Sequence, residues 1–236
     1  MQPGGNLFII IKDVYIFNRL GGLCSGRNTV QLLAMLTMLV DHIGLVFFPE
    51  QEGWRIVGRI AFPLYVYALV QGYEKTSSRQ RYLFRLCVIA AVSQIPYELA
   101  LNPGGLNVVV SLVAGALVLK VLDTVSGFPL LSVAIVAGAA AVMEMFPFDY
   151  GAYGLFLILL FRYARAHELV LGHLLLNVLY LFLNLWTVQM WSLLPTLLMA
   201  YGGRIAESLA QLRINRWVWR SFYPLHLAVI AWLRFL

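Results

Sequence analysis

Charged residues are scarce in this chain. Only 12% of its 236 residues are Asp, Glu, Lys or Arg, which is about half the fraction found in an ordinary soluble domain. Hydrophobic residues make up 61% of the chain, and the mean hydropathy is +0.80. Because such a chain cannot hide its apolar side chains in one water-soluble core, we expect lipid to be the solvent of its outer surface.

A regular alternation of polar and apolar residues is also missing. A backbone in lipid must satisfy its own hydrogen bonds, so only helices and closed barrels can cross a membrane. Membrane strands need only about 10 residues and alternate in polarity, whereas the apolar runs here are about 15–22 residues long and do not alternate. The sequence therefore predicts an all-α protein, a polytopic transmembrane helix bundle.

Cysteine and the common soluble-enzyme motifs are nearly absent. The spacing of the two cysteines, Cys24 and Cys87, fits neither a metal site nor a disulfide framework. His167, Glu168 and His173 do not form a zinc-binding H-E-x-x-H motif, because the second His comes five residues after the Glu. The chain has no Walker A loop, no G-x-G-x-x-G and no G-x-S-x-G. We expect neither a bound metal nor a soluble nucleotide-binding module.

Long apolar segments dominate the sequence. Nine are candidate spans: 29–49, 54–73, 82–100, 105–122, 128–146, 151–163, 168–186, 188–203 and 217–235. The sixth is short, and the seventh and eighth lie close together, so eight or nine crossings are expected. With no repeat, linker or low-complexity tract, residues 1–28 are interpreted as a cytoplasmic or interfacial segment and 29–236 as a single transmembrane domain.

The basic residues predict an orientation. With the N-terminus in the cytoplasm, all but three of the 17 Lys and Arg residues lie on the inner side, the exceptions being Arg55, Arg59 and Arg234. The outer loops instead carry acidic residues, namely Glu50, Glu52, Glu98, Glu144 and Asp149. The net charge of +6 is therefore interpreted as contact with anionic membrane lipids, with no role in binding nucleic acid.

Two predicted spans carry charge inside the membrane. Asp41 and His42 lie about 12 Å from the outer end of the first span, and Arg59 lies about 7 Å into the second span from the same side. Because these spans are antiparallel neighbours, we expect Asp41 and Arg59 to pair, with His42 beside them. A charge in hydrocarbon is costly, so each such residue is a functional hypothesis. The alternative is a structural ion pair with His42 as a core histidine.

More polar residues are predicted at the same depth, in the outer half of the membrane. They are Gln94, Glu98, Asn107, Asp149, Tyr150, Tyr223 and His226. Their convergence favours a water-accessible cavity over one isolated ion pair. The seventh span has a separate polar stripe of His173, Asn177, Tyr180 and Asn184, which is interpreted as hydrogen bonding between helices.

The chemistry of these side chains suits two activities. A histidine can serve as a general base, and an arginine in a dry site can stabilise an oxyanion or hold a phosphate. This combination fits acyl transfer, but Asp and His also relay protons in transporters. The residue types alone do not separate the two.

A set of motifs resembles the TraX family of membrane proteins. The first are Asp41-His42-Ile43-Gly44, Gly58-Arg59-Ile60-Ala61-Phe62-Pro63-Leu64 and Gln71-Gly72-Tyr73. They are followed by Arg81-Tyr82-Leu83-Phe84-Arg85-Leu86, Ser93-Gln94-Ile95-Pro96-Tyr97-Glu98, Asn107-Val108, Asp149-Tyr150-Gly151-Ala152-Tyr153-Gly154 and Tyr223-Pro224-Leu225-His226. The resemblance covers about residues 29–154 and 215–236.

The family is named for the conjugative pilin acetylase, which acetylates the N-terminal amine of pilin. The resemblance implies an acyltransferase of the bacterial cytoplasmic (inner) membrane that uses acetyl-CoA as acyl donor. Its acceptor would be an amine or hydroxyl of a protein, lipid or glycan. The alternative classes are a small proton-coupled transporter, against which the lack of internal repeats weighs, and a non-enzymatic membrane assembly factor.

The resulting site hypothesis assigns three groups of residues. Asp41, His42 and Arg59 form the catalytic centre. The path of the acceptor or thioester is lined by Glu98, Asn107, Asp149, Tyr150, Tyr223 and His226. The phosphates of coenzyme A would be held by Lys75, Arg79, Arg81 and Arg85, although these four residues fit a positive-inside topology signal equally well.

Overall fold

The computed structural model describes residues 27–101, 103–202 and 215–236, and in these ranges the chain is a bundle of helices. The α-helices are α1 (Arg27–Phe47), α2 (Glu52–Gly58), α3 (Ala61–Lys75), α4 (Arg79–Ala100), α5 (Val108–Thr124), α6 (Pro129–Met145), α7 (Gly151–Tyr163), α8 (Ala166–Asn184), α9 (Leu193–Tyr201) and α10 (Arg216–Arg234). A 3₁₀ helix, Thr187–Ser192, precedes α9. The predicted all-α class is confirmed for these residues.

Three helices are long and apolar enough to cross a membrane: Thr29–Phe47, Arg79–Ala100 and Ala166–Asn184. Pro129–Met145 and Gly151–Tyr163 are apolar but shorter. Eight or nine crossings therefore stay a prediction. The N-terminal segment, apart from its last two residues, lies outside the described residues, as do Arg204 and Arg213.

Two predicted spans are interrupted in the structure. The span 54–73 is split between α2 and α3, and Pro63 explains the break because it has no N–H to donate to the carbonyl of Arg59. The span 188–203 begins as the 3₁₀ helix and becomes α-helical only at Leu193. Pro195 likewise cannot donate to the carbonyl of Trp191. Both interruptions lie beside the site described below.

The helix α3 lies in the middle of the bundle. Its side chains Phe62, Leu64, Val66 and Val70 are at most 3% exposed, and they pack among α1, α5 and α7. The helix α10 packs along α4 and α1, so the last described helix lies against the first. The helix α6 is peripheral, with Met143 as its buried residue.

The helix α2 folds back against α1 at two glycines. A Cβ atom on Gly44 would collide with Trp54, and one on Gly58 would collide with the carboxylate of Asp41. Glycine at these positions lets the two helices approach closely. This contact brings Arg55 of α2, and Arg59 at its C-cap, to the polar residues of α1.

Candidate functional site

A cavity of about 650 Å³ lies where α1, α2 and the start of α3 meet the loop before α7 and the 3₁₀ helix. Its polar and charged lining residues are Asp41, His42, Glu52, Arg55, Arg59, Tyr65, Tyr97, Asp149, Tyr150, Thr187 and Gln189. The volume is in the range of small-molecule binding sites, about 300–1,000 Å³. The predicted polar cavity therefore exists, at the end of the bundle where α3 begins.

Asp41 binds two arginines. Its Oδ1 lies 2.9 Å from Arg55 Nη1 and its Oδ2 lies 3.5 Å from Arg59 Nη2. The predicted pair of Asp41 and Arg59 is confirmed, whereas Arg55 had been predicted only as a basic residue on the outer side of the membrane. The sequence spacing could have indicated its role, because Arg55 and Arg59 are four residues apart and lie on one face of a helical turn.

Arg59 is held by further contacts. Its Nη1 donates to Gln189 Oε1 at 3.2 Å and its Nε to the carbonyl of Arg55 at 3.4 Å. Its guanidinium lies 5.8 Å from the ring centroid of Tyr150. Tyr150 adopts a left-handed φ of 65° while its ring stacks on Phe62 at a centroid distance of 3.8 Å. A backbone strained in this way is typical of a functional site.

His42 is oriented by a second histidine. His42 Nδ1 lies 2.8 Å from His226 Nε2, and His226 Nδ1 lies 2.7 Å from the carbonyl oxygen of Phe222. A carbonyl only accepts, so His226 Nδ1 carries a proton. When both rings are neutral, His226 Nε2 then accepts and His42 Nδ1 donates. His42 Nε2 therefore carries no proton. A general base requires such an unprotonated nitrogen.

Acidic side chains outnumber basic ones along the cavity. Glu52 and Asp149 line it together with the Asp41–arginine group. Asp149 lies in the loop before α7, and burial raises the pKa of its carboxyl group to about 6 despite the neighbouring Arg59. Because the cavity is not strongly cationic, it does not resemble a phosphate-binding site.

Four residues predicted to line the path, Glu98, Asn107, Tyr223 and His226, do not line this cavity. Glu98 is exposed and accepts a hydrogen bond from Gln94 at 2.7 Å. Asn107 is fully buried and caps α5, while its Nδ2 donates to Gln94 Oε1 and to the carbonyl of Ala90. Tyr223 packs edge-on against His226 at a centroid distance of 5.5 Å. His226 also lies outside the lining and reaches the site through His42.

The four basic residues predicted to bind coenzyme A lie at the other end of α3. The helix has 15 residues, so its ends are about 21 Å apart. Arg79 forms an ion pair with Asp123 at 2.9 Å and Arg85 lies over the ring of Tyr82. Lys75 and Arg81 are exposed. The cavity and the basic residues are thus separate regions.

A buried hydrogen-bond network lies behind the cavity, between α7, α8, the 3₁₀ helix and α9. Its members are Tyr153, His173, Asn177, Gln189, Ser192 and Thr196, each at most 2% exposed. The predicted hydrogen bonding between helices is confirmed for His173 and Asn177, and Tyr180 bonds Glu144 at 3.4 Å. Asn184 is exposed. Gln189 was missed, although it is a lone amide in an apolar segment.

Metal ligands are not grouped in the parts of the chain that the structure describes. Within them, no cluster of three or more His, Cys, Asp or Glu residues could hold a metal ion.

Comparison with known proteins gives a family match over most of the chain. The family model described as "TraX protein" matches residues 26–234. "Protein TraX" of Escherichia coli is 32% identical over 152 residues, covering 60% of this chain and 58% of that protein. No solved structure matches.

Two further relatives match shorter stretches. "Probable fimbrial assembly protein FimC, serogroup H1" of Dichelobacter nodosus is 32% identical over 73 residues, which is 29% of this chain and 30% of the relative. An uncharacterised protein of Rickettsia prowazekii is 39% identical over 54 residues, or 22% of each chain. The matches thus span between about a fifth and three fifths of the curated relatives' lengths.

Proposed function

Because this chain belongs to the TraX family, we propose that it is a membrane-embedded acyltransferase that moves an acyl group from acetyl-CoA to an amine or hydroxyl acceptor. The observation that carries the proposal is the His226–His42 hydrogen bond at the wall of a cavity that also holds the Asp41–Arg55–Arg59 group. A base with a defined tautomer and a fixed cation beside it are the two groups that acyl transfer needs.

In the proposed reaction, His42 Nε2 takes the proton from the acceptor amine or hydroxyl as its nitrogen or oxygen bonds to the thioester carbonyl carbon. His226 accepts a hydrogen bond from His42 Nδ1 and so stabilises the imidazolium that forms. When the carbon–sulfur bond breaks, His42 returns the proton to the departing thiolate. The products are the acylated acceptor and free coenzyme A.

Arg59 is the proposed group that stabilises the oxyanion. A guanidinium has five N–H groups, and the three hydrogen-bonding and ionic contacts described above leave others free. These can donate to the oxyanion of the tetrahedral intermediate, where removal of one donor typically costs about 10²–10³ in kcat. Asp41 holds Arg59 and Arg55 at the cavity wall in this scheme.

The acceptor we favour is the N-terminal amine of a pilin-like protein. The name of one relative, a probable fimbrial assembly protein, supports this choice. The acidic lining residues Glu52 and Asp149 would attract the N-terminal ammonium to the cavity. It loses one proton to solvent there, and the neutral amine then reacts.

The phosphates of coenzyme A are proposed to bind outside the cavity, at Lys75, Arg81 and Arg85. The acidic cavity disfavours an anion, whereas these side chains are exposed or half-buried at the far end of α3. Arg79 belongs to the same surface, with part of its charge neutralised by Asp123. The acyl end of the donor would then extend along the bundle toward His42.

The test is transfer of radiolabelled acetyl groups from acetyl-CoA by the purified protein in detergent, to a pilin-like peptide with a free or a blocked N-terminus. We expect label on the free peptide alone and a loss of about 10²–10⁴ in rate for His42→Ala. His167→Ala is the matched control, because His167 is 67% exposed and lies outside the cavity. No turnover and no binding of acetyl-CoA by folded protein, over several acceptors, would refute the proposal.

A further inference from the structure

Arg59 receives support from a distant part of the chain. Gln189, which is 2% exposed, accepts a hydrogen bond from Arg59 Nη1 across a sequence separation of 130 residues. Arg55 and Arg59 share the single carboxylate of Asp41. A neutral acceptor such as the Gln189 amide therefore holds Arg59 without cancelling its remaining positive charge.

The buried network determines which end of the Gln189 amide faces Arg59. Asn177 Nδ2 lies 3.3 Å from the carbonyl of Gln189 and 3.2 Å from Ser192 Oγ, so Asn177 Oδ1 is left to accept from the Tyr153 hydroxyl at 2.8 Å. With its proton donated there, the Tyr153 oxygen accepts from Gln189 Nε2 at 2.9 Å. Gln189 Oε1 must then point to Arg59.

The opposite amide orientation would leave several groups unsatisfied. The NH₂ group of Gln189 would then lie next to the guanidinium of Arg59, and both groups can only donate hydrogen bonds. This orientation would also take the Tyr153 proton away from Asn177. An unsatisfied buried polar group costs about 1–3 kcal/mol, so the network selects one orientation.

We propose that Gln189 is a positioning residue for Arg59, with its amide held by Tyr153 so that Oε1 fixes the guanidinium at the cavity wall. The kinetic consequence rests on the acyl transfer proposed above, whereas the placement of Arg59 rests on the hydrogen bonds alone. Two measurements therefore test the two parts separately.

The placement of Arg59 is measured by its rate of modification with phenylglyoxal in the full-length protein in detergent, with adducts located by mass spectrometry. Loss of the Gln189 contact frees Arg59, so Gln189→Leu should raise the modification rate of Arg59 several-fold over that of wild type. Arg55 serves as the internal reference, because its guanidinium bonds Asp41 and is not hydrogen-bonded to Gln189. Gln189→Glu keeps an acceptor for Arg59 and should restore the slow rate.

Thr196→Val is the matched control for general loosening of the network. Thr196 bonds His173 and the carbonyl of Ser192 and is hydrogen-bonded to neither Gln189 nor Arg59. We expect this variant to leave the modification rate of Arg59 unchanged. Should Gln189→Leu fail to fold, Gln189→Asn, whose amide is one methylene too short to reach Arg59, takes its place with the same expected increase.

The kinetic part is the turnover of labelled acetyl-CoA. A positioning role predicts that Gln189→Leu lowers kcat about 10- to 100-fold with KM within about twofold, while Thr196→Val keeps the wild-type kcat. An Arg59 modification rate in Gln189→Leu equal to that of wild type, or an equal rise in Thr196→Val, overturns the proposal. If wild type shows no turnover, acyl transfer fails while the modification rates still decide the placement.

Discussion

The two histidines of the site, His42 and His226, hold their protons in one defined arrangement. The carbonyl of Phe222 fixes the proton of His226, and His226 in turn fixes the proton of His42. Two hydrogen bonds thus prepare one nitrogen, His42 Nε2, to accept a proton. The sequence predicted both histidines in the site but assigned His226 to the substrate path, whereas the structure places it behind His42.

Replacing His226 tests this orientation. His226→Phe keeps a ring between Phe222 and Tyr223 but removes the acceptor for His42 Nδ1. We expect kcat for acetyl transfer to fall about 10- to 100-fold, because the His42 tautomer is no longer fixed. His167→Phe, at an exposed position, serves as the control. Wild-type kcat in His226→Phe would show that His42 needs no partner.

Asp149 gives the site a pH dependence. Burial raises the pKa of this carboxyl group from its ordinary value near 3.8 to about 6. Between these values the unfolded chain loses the proton while the folded protein keeps it. The free energy of unfolding of wild type, relative to Asp149→Asn, should therefore fall as pH rises from about 4 to about 6 and stay level above about 7.

Thermal unfolding in detergent over this pH range measures the effect. The difference in Tm between wild type and Asp149→Asn is the relevant quantity, since other groups titrate in both proteins. A difference that is constant with pH, or that grows in favour of wild type as pH rises, contradicts the raised pKa.

At the scale of elements, the short helix α2 determines the shape of the cavity. It carries Arg55 and ends at Gly58, where an added Cβ would collide with the carboxylate of Asp41. Arg59 follows as the C-cap residue of α2. The helix and its C-cap thus supply both arginines of the site.

Gly58 and Gly53 provide a matched pair of substitutions on α2. Gly58→Ala places a Cβ atom against the Asp41 carboxylate, whereas an added Cβ on Gly53 meets no atom within 4 Å. We expect Gly58→Ala to lower stability by about 1–3 kcal/mol and to reduce acetyl transfer, because Asp41 must move away from its arginines. Gly53→Ala should leave both unchanged. Equal behaviour of the two variants would argue against the close contact of α1 with α2.

Apolar runs predicted most helices to within a few residues, because a long hydrophobic segment in lipid must satisfy its backbone hydrogen bonds internally and therefore forms a helix. The predictions failed at Pro63 and Pro195, where one missing N–H interrupts a helix inside an apolar run. The pairing of Asp41 with Arg59 followed from neighbouring antiparallel segments. The contact of Arg59 with Gln189 could not be predicted. The two residues are 130 positions apart, and their contact depends on how distant helices pack, which no local sequence pattern indicates.

At the scale of the whole molecule, charge is divided between the two ends of the bundle. The cavity end carries Asp41, Glu52 and Asp149 with two arginines. The opposite end carries the basic residues at the end of α3 and the start of α4, which are Lys75, Arg79, Arg81 and Arg85. If the basic end faces the cytoplasm, as the sequence predicts, the cavity end faces the opposite side of the membrane.

Cysteine labelling tests that orientation. In a chain with Cys24 and Cys87 changed to Ser, single cysteines are introduced at the exposed positions Gln51 and Ser77, before α2 and after α3. An impermeant maleimide added to spheroplasts should label Gln51→Cys, and it should label Ser77→Cys only after the membrane is opened. The reverse pattern would invert the predicted topology.

The contact between the first and last described helices also has a consequence in time. His42 and His226 are separated by 184 residues, which a ribosome adds in about 10 to 40 s at 5–20 residues per second. During that interval α1 already sits in the nascent chain while its partner histidine has not yet been synthesised. In the proposed mechanism, the nascent chain would transfer acetyl groups at least about 10-fold more slowly than the finished protein until α10 docks and His226 reaches His42.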